Sequence, residues 1–124
     1  MSATVLVCDN EEILRGLVRA SLDGAGYEIV EARDGDEAFE LARRHRPDVI
    51  LLDMMMPGRT GLEVLAELRA DPDFAATKVV MLTARAQASD RQAAVDAGVD
   101  HFLPKPFSPL ALAALVQGLL ATAA

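Results

Sequence analysis

Five short apolar runs alternate with five stretches of helical periodicity, and this alternation restricts the fold more than any other feature of the chain. The runs are TVLVC (4–8), YEIV (27–30), DVILLD (48–53), KVVML (78–82) and DHFL (100–103). Residues 11–24 place Leu14, Val18 and Leu22 on one helical face with Ile13 and Leu17 beside them. Residues 36–46 bring Ala38, Phe39 and Ala42 together before Pro47 stops the helix, and 61–70 repeat Leu62, Leu65 and Leu68 with Val64. Ser89 and Gln92 form a capping-box pattern ahead of AAVDAG, with Gly98 as the exit. Ser108 then Pro109 reads as an N-cap followed by proline in the first turn of the last helix. Strict alternation predicts right-handed βαβ crossovers, hence an α/β fold: one doubly wound, five-stranded parallel sheet with helices on both faces. The runs DVILL and VVML, apolar without alternation, suit strands buried on both sides.

A chain of 124 residues with 52% hydrophobic content is expected to form one domain over 1–124 around one core. No apolar run approaches the roughly 20 residues of a membrane span, and MSATVLVCDN lacks a basic leader, so a cytoplasmic protein without a membrane partner is expected. Cys8 stands alone inside a strand pattern, which reads as a small buried hydrophobe. The net charge of −7 opposes nucleic acid phosphates, and the one basic run, Arg43, Arg44, His45 and Arg46, closes a predicted helix, where cations complement the dipole. No direct nucleic acid partner is expected.

The polar residues fall where the strands end. Asp9 and Asn10 leave the first strand, Asp53 the third, Thr83 the fourth, and Lys105 follows the fifth. Whole βα units separate these residues, so they gather at the carboxyl edge of the sheet, where such folds bind ligands. Asp9 in VCDNEE also fits a helix start, since a carboxylate there accepts free backbone N–H groups. Two carboxylates sharing a pocket raise each other's pKa unless a cation intervenes. Hard oxygens suit Mg²⁺, and with Mg²⁺ on one side and Lys105 on the other, Asp53 is placed to attack phosphorus. Thr83 is then placed to hydrogen-bond a phosphoryl oxygen.

With these residues in view, the chain resembles a response-regulator receiver domain of bacterial two-component signalling, similar to the chemotaxis regulators. The likeness runs through VLVCDNEE, EARDGDEAFELA, PDVILLDMMMPGRTGLEVLAELR, VVMLTARA and DAGVDHFLPKPF. It implies a flavodoxin-like fold with strand order 2-1-3-4-5. It also implies Asp53 as phosphoacceptor, Asp9 as a metal-site acid, the Met55 backbone carbonyl as a further metal ligand, Thr83 as the switching hydroxyl and Lys105 as the cation that pairs with phosphate. Phe102 matches the aromatic switch position and Lys105–Pro106 the bond that is typically cis in this family. The implied phosphodonor is a histidine kinase or a histidine phosphotransfer protein. The implied output is a changed surface of the fourth helix, fifth strand and fifth helix.

VCDNEE departs from the family in one respect: a second acid normally follows the first, and here Asn10 stands in its place. An amide carbonyl still offers a neutral oxygen, yet the site loses a formal charge, which weakens Mg²⁺ binding. One reading keeps a weaker metal site on Asp9 with help from Glu11 or Glu12; the other is a degenerate receiver acting as a phosphate-independent interaction or dimerisation module. Met55 and Arg85 take positions that flank the phosphoryl group in the family, and a bulky pair there implies slow hydrolysis. From Pro109 to Ala124 there is no charged residue, and Leu110, Leu112, Leu115, Val116, Leu119 and Leu120 span more than one face. That pattern predicts a second surface for the last helix: a kinase, a second copy or a following domain. Phosphatases with an Asp nucleophile resemble D-x-D-x-T/V, and Met-Met-Met-Pro after Asp53 lacks the second acid. Neither G-x-G-x-x-G nor a P-loop occurs, and His45 and His101 have no metal-ligand spacing.

Overall fold

The computed structural model describes residues 2–83 and 88–122. In chain order the elements are β1 (Thr4–Cys8), α1 (Glu12–Ser21), β2 (Glu28–Ala32), α2 (Gly35–His45), β3 (Val49–Asp53), α3 (Gly61–Ala70), a 3-10 turn over Pro72–Phe74, β4 (Lys78–Thr83), α4 (Ala88–Ala97), β5 (His101–Pro104) and α5 (Pro109–Thr122). The strands form one sheet in the order β2-β1-β3-β4-β5. Every pairing is parallel, with Cys8 opposite Ala32 and Leu52, Asp53 opposite Leu82, and Thr83 opposite Pro104.

Successive strand residues feed opposite cores. Leu6, Cys8, Ile50, Leu52, Val79 and Met81 pack beneath α2, α3 and α4, against Ala38, Val64, Leu65, Leu68 and Ala94. Val5, Val7, Val49, Leu51, Val80 and Leu82 pack beneath α1 and α5, against Val18, Leu22, Leu112 and Val116. Each fully buried aliphatic side chain contributes about 1.5–3 kcal/mol relative to exposure, so the double layer holds β1, β3 and β4 rigidly.

Several element boundaries differ from the sequence expectation for identifiable reasons. β2 runs on to Ala32 because it is an edge strand, where Glu31 reaches out to Arg15 and Arg19 instead of ending the ladder. α1 closes at Ser21 rather than at residue 24, and Leu22 is its C-cap, with Gly24 following at φ 84°. Ser89 lies inside α4 and is not its cap; capping-box spacing is also that of two residues one turn apart on a helix surface. Gln92 instead donates to Asp96 Oδ1 at 2.8 Å. Among the described residues a capping box forms between Thr60 and Glu63 at the start of α3. Ser108 caps α5 as expected, accepting from the Ala111 N–H at 2.9 Å. The basic run closing α2 is neutralised by acids: Arg43 pairs with Asp71, Arg44 with Glu40 and Arg46 with Asp73. On α5, Leu112 and Val116 are buried whereas Leu110 is 84% exposed. Among the described residues no helix is long and apolar enough to cross a membrane.

Candidate functional site

Three strand ends meet at the carboxyl edge. Asp9 is carried out of β1 as its N–H continues the ladder to the Ala32 carbonyl. Its side chain is fully buried: Oδ1 accepts from the Glu11 N–H at 2.8 Å and Oδ2 from Lys105 Nζ at 2.7 Å. Asp9 therefore faces a cation as expected, but it does not cap α1: the N-cap is Glu11, which has no side-chain cap hydrogen bond, and Asp9 bonds the Glu11 N–H just ahead of the helix. Asp53 ends β3 at 5% exposure. Its Oδ1 lies 3.4 Å from Lys105 Nζ and 3.4 Å from the Met55 N–H, so it is held more loosely than Asp9. Gly61 opens α3 directly against this acid, and a Cβ there would collide with the Asp53 carbonyl. Thr83 closes β4 in a buried position, and its carbonyl accepts from the Lys105 N–H at 2.7 Å. The Lys105–Pro106 peptide is cis.

Electrostatics separate the two acids. Burial pushes the Asp53 carboxyl above the ordinary aspartate value and the neighbouring Asp9 charge adds to this; Lys105 and the Met55 N–H offset only part. For Lys105, burial works against the ammonium, but the hydrogen bond to Asp9 and the charges of Asp53 and Asp9 prevail and hold its pKa above that of an ordinary lysine. The arrangement is one ammonium bridging two buried carboxylates, tight to one and loose to the other.

These groups open on a cleft of about 570 Å³ whose walls include Asn10, Glu11, Met55, Thr60, Thr83 and Asp90. Asn10, Glu11 and Glu12 are exposed, and Met55 is 75% exposed at the rim. Arg85 lies outside the described residues. Phe102 is half-buried against the α2–α4 core with the Arg91 guanidinium 5.2 Å from its ring centroid. Phe102 and Pro106 are not among the described residues lining the cleft. Cys8 sits directly behind the site, fully buried, with its thiol pKa raised by burial and by the Asp9 and Glu37 charges.

An all-oxygen donor set of two carboxylates, the Asn10 amide and the Met55 carbonyl is chemically suited to a hard divalent cation that keeps several waters. The described residues contain no group of three or more His, Cys, Asp or Glu able to hold a metal.

Two residues of the site escaped the sequence reading. Arg15, buried on α1, donates Nη1 to the Asp9 carbonyl at 2.7 Å and Nε to Glu31 at 3.0 Å, so a guanidinium backs the acid from behind. An arginine between Leu14 and Val18 on the inward face was the available signal. Asp90 comes from α4, and nothing local announces that its helix borders the cleft.

A family model described as response regulator receiver domain matches residues 5–117. Response regulator MprA of Mycobacterium sp. (strain KMS) is 42% identical over 120 residues, covering 97% of this chain and 51% of that protein. MprA of Mycobacterium leprae is 43% identical over 116 residues, covering 94% and 50%. The chain thus spans about half the length of these curated relatives. Among solved structures, Vibrio cholerae chemotaxis protein CheY4 superposes with a TM-score of 0.89 at 34% identity, covering 96% of this chain and 99% of that one. The receiver domain of the sensor histidine kinase PA1611 from Pseudomonas aeruginosa, solved with a magnesium ion coordinated in its active site cleft, gives 0.88 at 28% identity, covering 98% and 99%. The family model covers most of the chain and the solved receiver domains superpose on its parallel 2-1-3-4-5 sheet, so the chain belongs to the response regulator receiver domain family.

Proposed function

We propose that this receiver domain is a phosphoacceptor switch that takes a phosphoryl group on Asp53 from a histidine kinase or a histidine phosphotransfer protein. The observation that carries the reading is Lys105 Nζ set 2.7 Å from Asp9 and 3.4 Å from Asp53, which leaves Asp53 the less committed carboxylate. An Asp53 oxygen attacks phosphorus, the bond from phosphorus to the donor nitrogen or oxygen breaks, and its electron pair leaves with the donor. Asp9, Asp53, the Met55 carbonyl and Asn10 would hold Mg²⁺, which would supply positive charge against the phosphoryl oxygens. Lys105 pairs with the new phosphate, Thr83 donates to one of its oxygens, and Phe102 responds from β5, altering the α4, β5 and α5 surface. Met55 at the rim restricts attacking water and prolongs the adduct. Ile13 and Leu110, exposed on two helices that pack together, offer apolar contact to a donor, a second copy or an output domain.

Asn10 supports a second reading, a receiver that acts as an interaction module without phosphate. Incubation with Mg²⁺ and acetyl phosphate, read by intact mass with Asp53→Asn as control, separates the two. One added phosphoryl group, absent from the control, supports the switch; no adduct at any Mg²⁺ concentration supports the module. Asn10→Asp is expected to tighten Mg²⁺ binding, and an unchanged affinity would remove position 10 from the ligand set.

A further inference from the structure

The cleft carries an acid for which phosphoryl transfer has no use. Asp90, in the first turn of α4, lines the same cleft as Asp53, Thr83 and Lys105. Among the described residues no hydrogen bond or ion pair engages its carboxylate. Lys105, the one cation among the described residues lining the cleft, is already committed to Asp9 and Asp53. Asp90 is thus the uncompensated charge on the α4 wall. The residue beside it, Arg91, lies 5.2 Å over the ring of Phe102, which is half-buried against the core beneath α4. Consecutive helical residues project about 100° apart, so a single turn presents an anion to the cleft and a cation to β5.

We propose that Asp90 and Arg91 couple charge in the cleft to the position of Phe102. The coupling rests on the phosphoacceptor reading given above. Phosphorylation of Asp53 replaces its single carboxylate charge with about two on the phosphoryl oxygens, which reach further into a cleft whose far wall already carries one. Repulsion acts on Asp90, the backbone of the first turn carries the displacement to Arg91, and the cation–π stack on Phe102 loosens. Asp90 and Arg91 are positioning residues: neither touches the reacting phosphorus, and both act through the helix. A merely structural role for Asp90, an acid complementing the dipole at the start of α4, predicts a change in stability only.

The chain holds four phenylalanines, so incorporation of a fluorinated phenylalanine gives four ¹⁹F resonances, and Phe102→Leu assigns the relevant one. Mg²⁺ and acetyl phosphate are added while intact mass gives the phosphorylated fraction in the same samples. In the unaltered chain the Phe102 resonance is expected to move in proportion to that fraction. In Asp90→Asn the adduct still forms, but the movement per adduct falls to roughly half or less. In Arg91→Ala the resonance is displaced before phosphorylation and responds little afterwards, and Arg91→Lys restores part of the response. An Asp90→Asn protein that is phosphorylated and shows the full movement overturns the coupling alone. Absence of an adduct from every protein overturns the phosphoacceptor reading and the coupling with it.

Discussion

Both edges of the sheet are held by charged networks, and the two differ in how completely they are satisfied. At the amino edge Arg69 donates to the Gly98 carbonyl at 2.8 Å, the Phe74 carbonyl at 2.9 Å and Asp100 at 2.7 Å, while Asp100 also accepts the Val79 N–H at 2.8 Å. Every charge there meets a good partner, and the cluster fastens α3, the 3-10 turn, α4 and the last two strands together. At the carboxyl edge a single ammonium serves two buried carboxylates and reaches one of them only at 3.4 Å. Cation–carboxylate pairing thus yields a fastener at one end and a partly satisfied cluster at the other. A fold gains function by leaving one network incomplete.

Mutations sharpen the contrast. Lys105→Met leaves two carboxylates facing each other without a counterion; the expected loss is about 3 kcal/mol at neutral pH, recovered on acidification, as read by urea denaturation at several pH values. Arg69→Ala removes the whole amino-edge cluster and is expected to lower stability by about 2 kcal/mol while the phosphorylated fraction stays unchanged well below the melting temperature. A loss of phosphorylation there would erase the division of labour between the two edges.

Asp53→Asn is expected to do the opposite, raising stability by about 1 kcal/mol while abolishing the adduct. Its sign follows from linkage. The folded-state pKa of Asp53 is raised, so between the ordinary aspartate value and that higher value the folded chain binds more protons than the unfolded one, and stability falls as pH rises. The variant and the parent should therefore agree at low pH and separate as pH climbs through this window. Glu31 gives the smallest and reversed effect. Burial is outweighed by its hydrogen bonds to Arg19 and Arg15, which lower its pKa, so its contribution is present above the ordinary glutamate value and lost as pH falls through the folded one. Glu31→Gln should lose a little stability at neutral pH and converge with the parent in acid.

Much of this was legible in the residues. Strand runs and helical periods give the layers, and the placing of Asp9, Asp53, Thr83 and Lys105 at strand ends gives the cleft, because parallel sheets fix which edge those ends share. Asp90 was not legible, because no local pattern encodes that its helix borders the cleft; Arg15 was signalled only by its place on the inward face between Leu14 and Val18, and its partners lie on other segments. Glu31 was misleading because a polar residue ends a buried strand but not an edge strand. Ser89 misled through a spacing common to caps and helix surfaces.

The contact between Gly61 and the Asp53 carbonyl bears on how this domain answers to sequence variation. A map of functional tolerance drawn by saturation mutagenesis will place residue 61 in the same intolerant class as residue 53, although it bears no side chain and contributes nothing to chemistry. Here the location of the proposed phosphoacceptor is written as a prohibition on a neighbour, and substitutions at that neighbour are expected to register as inactive proteins whose side chains in the cleft are all intact.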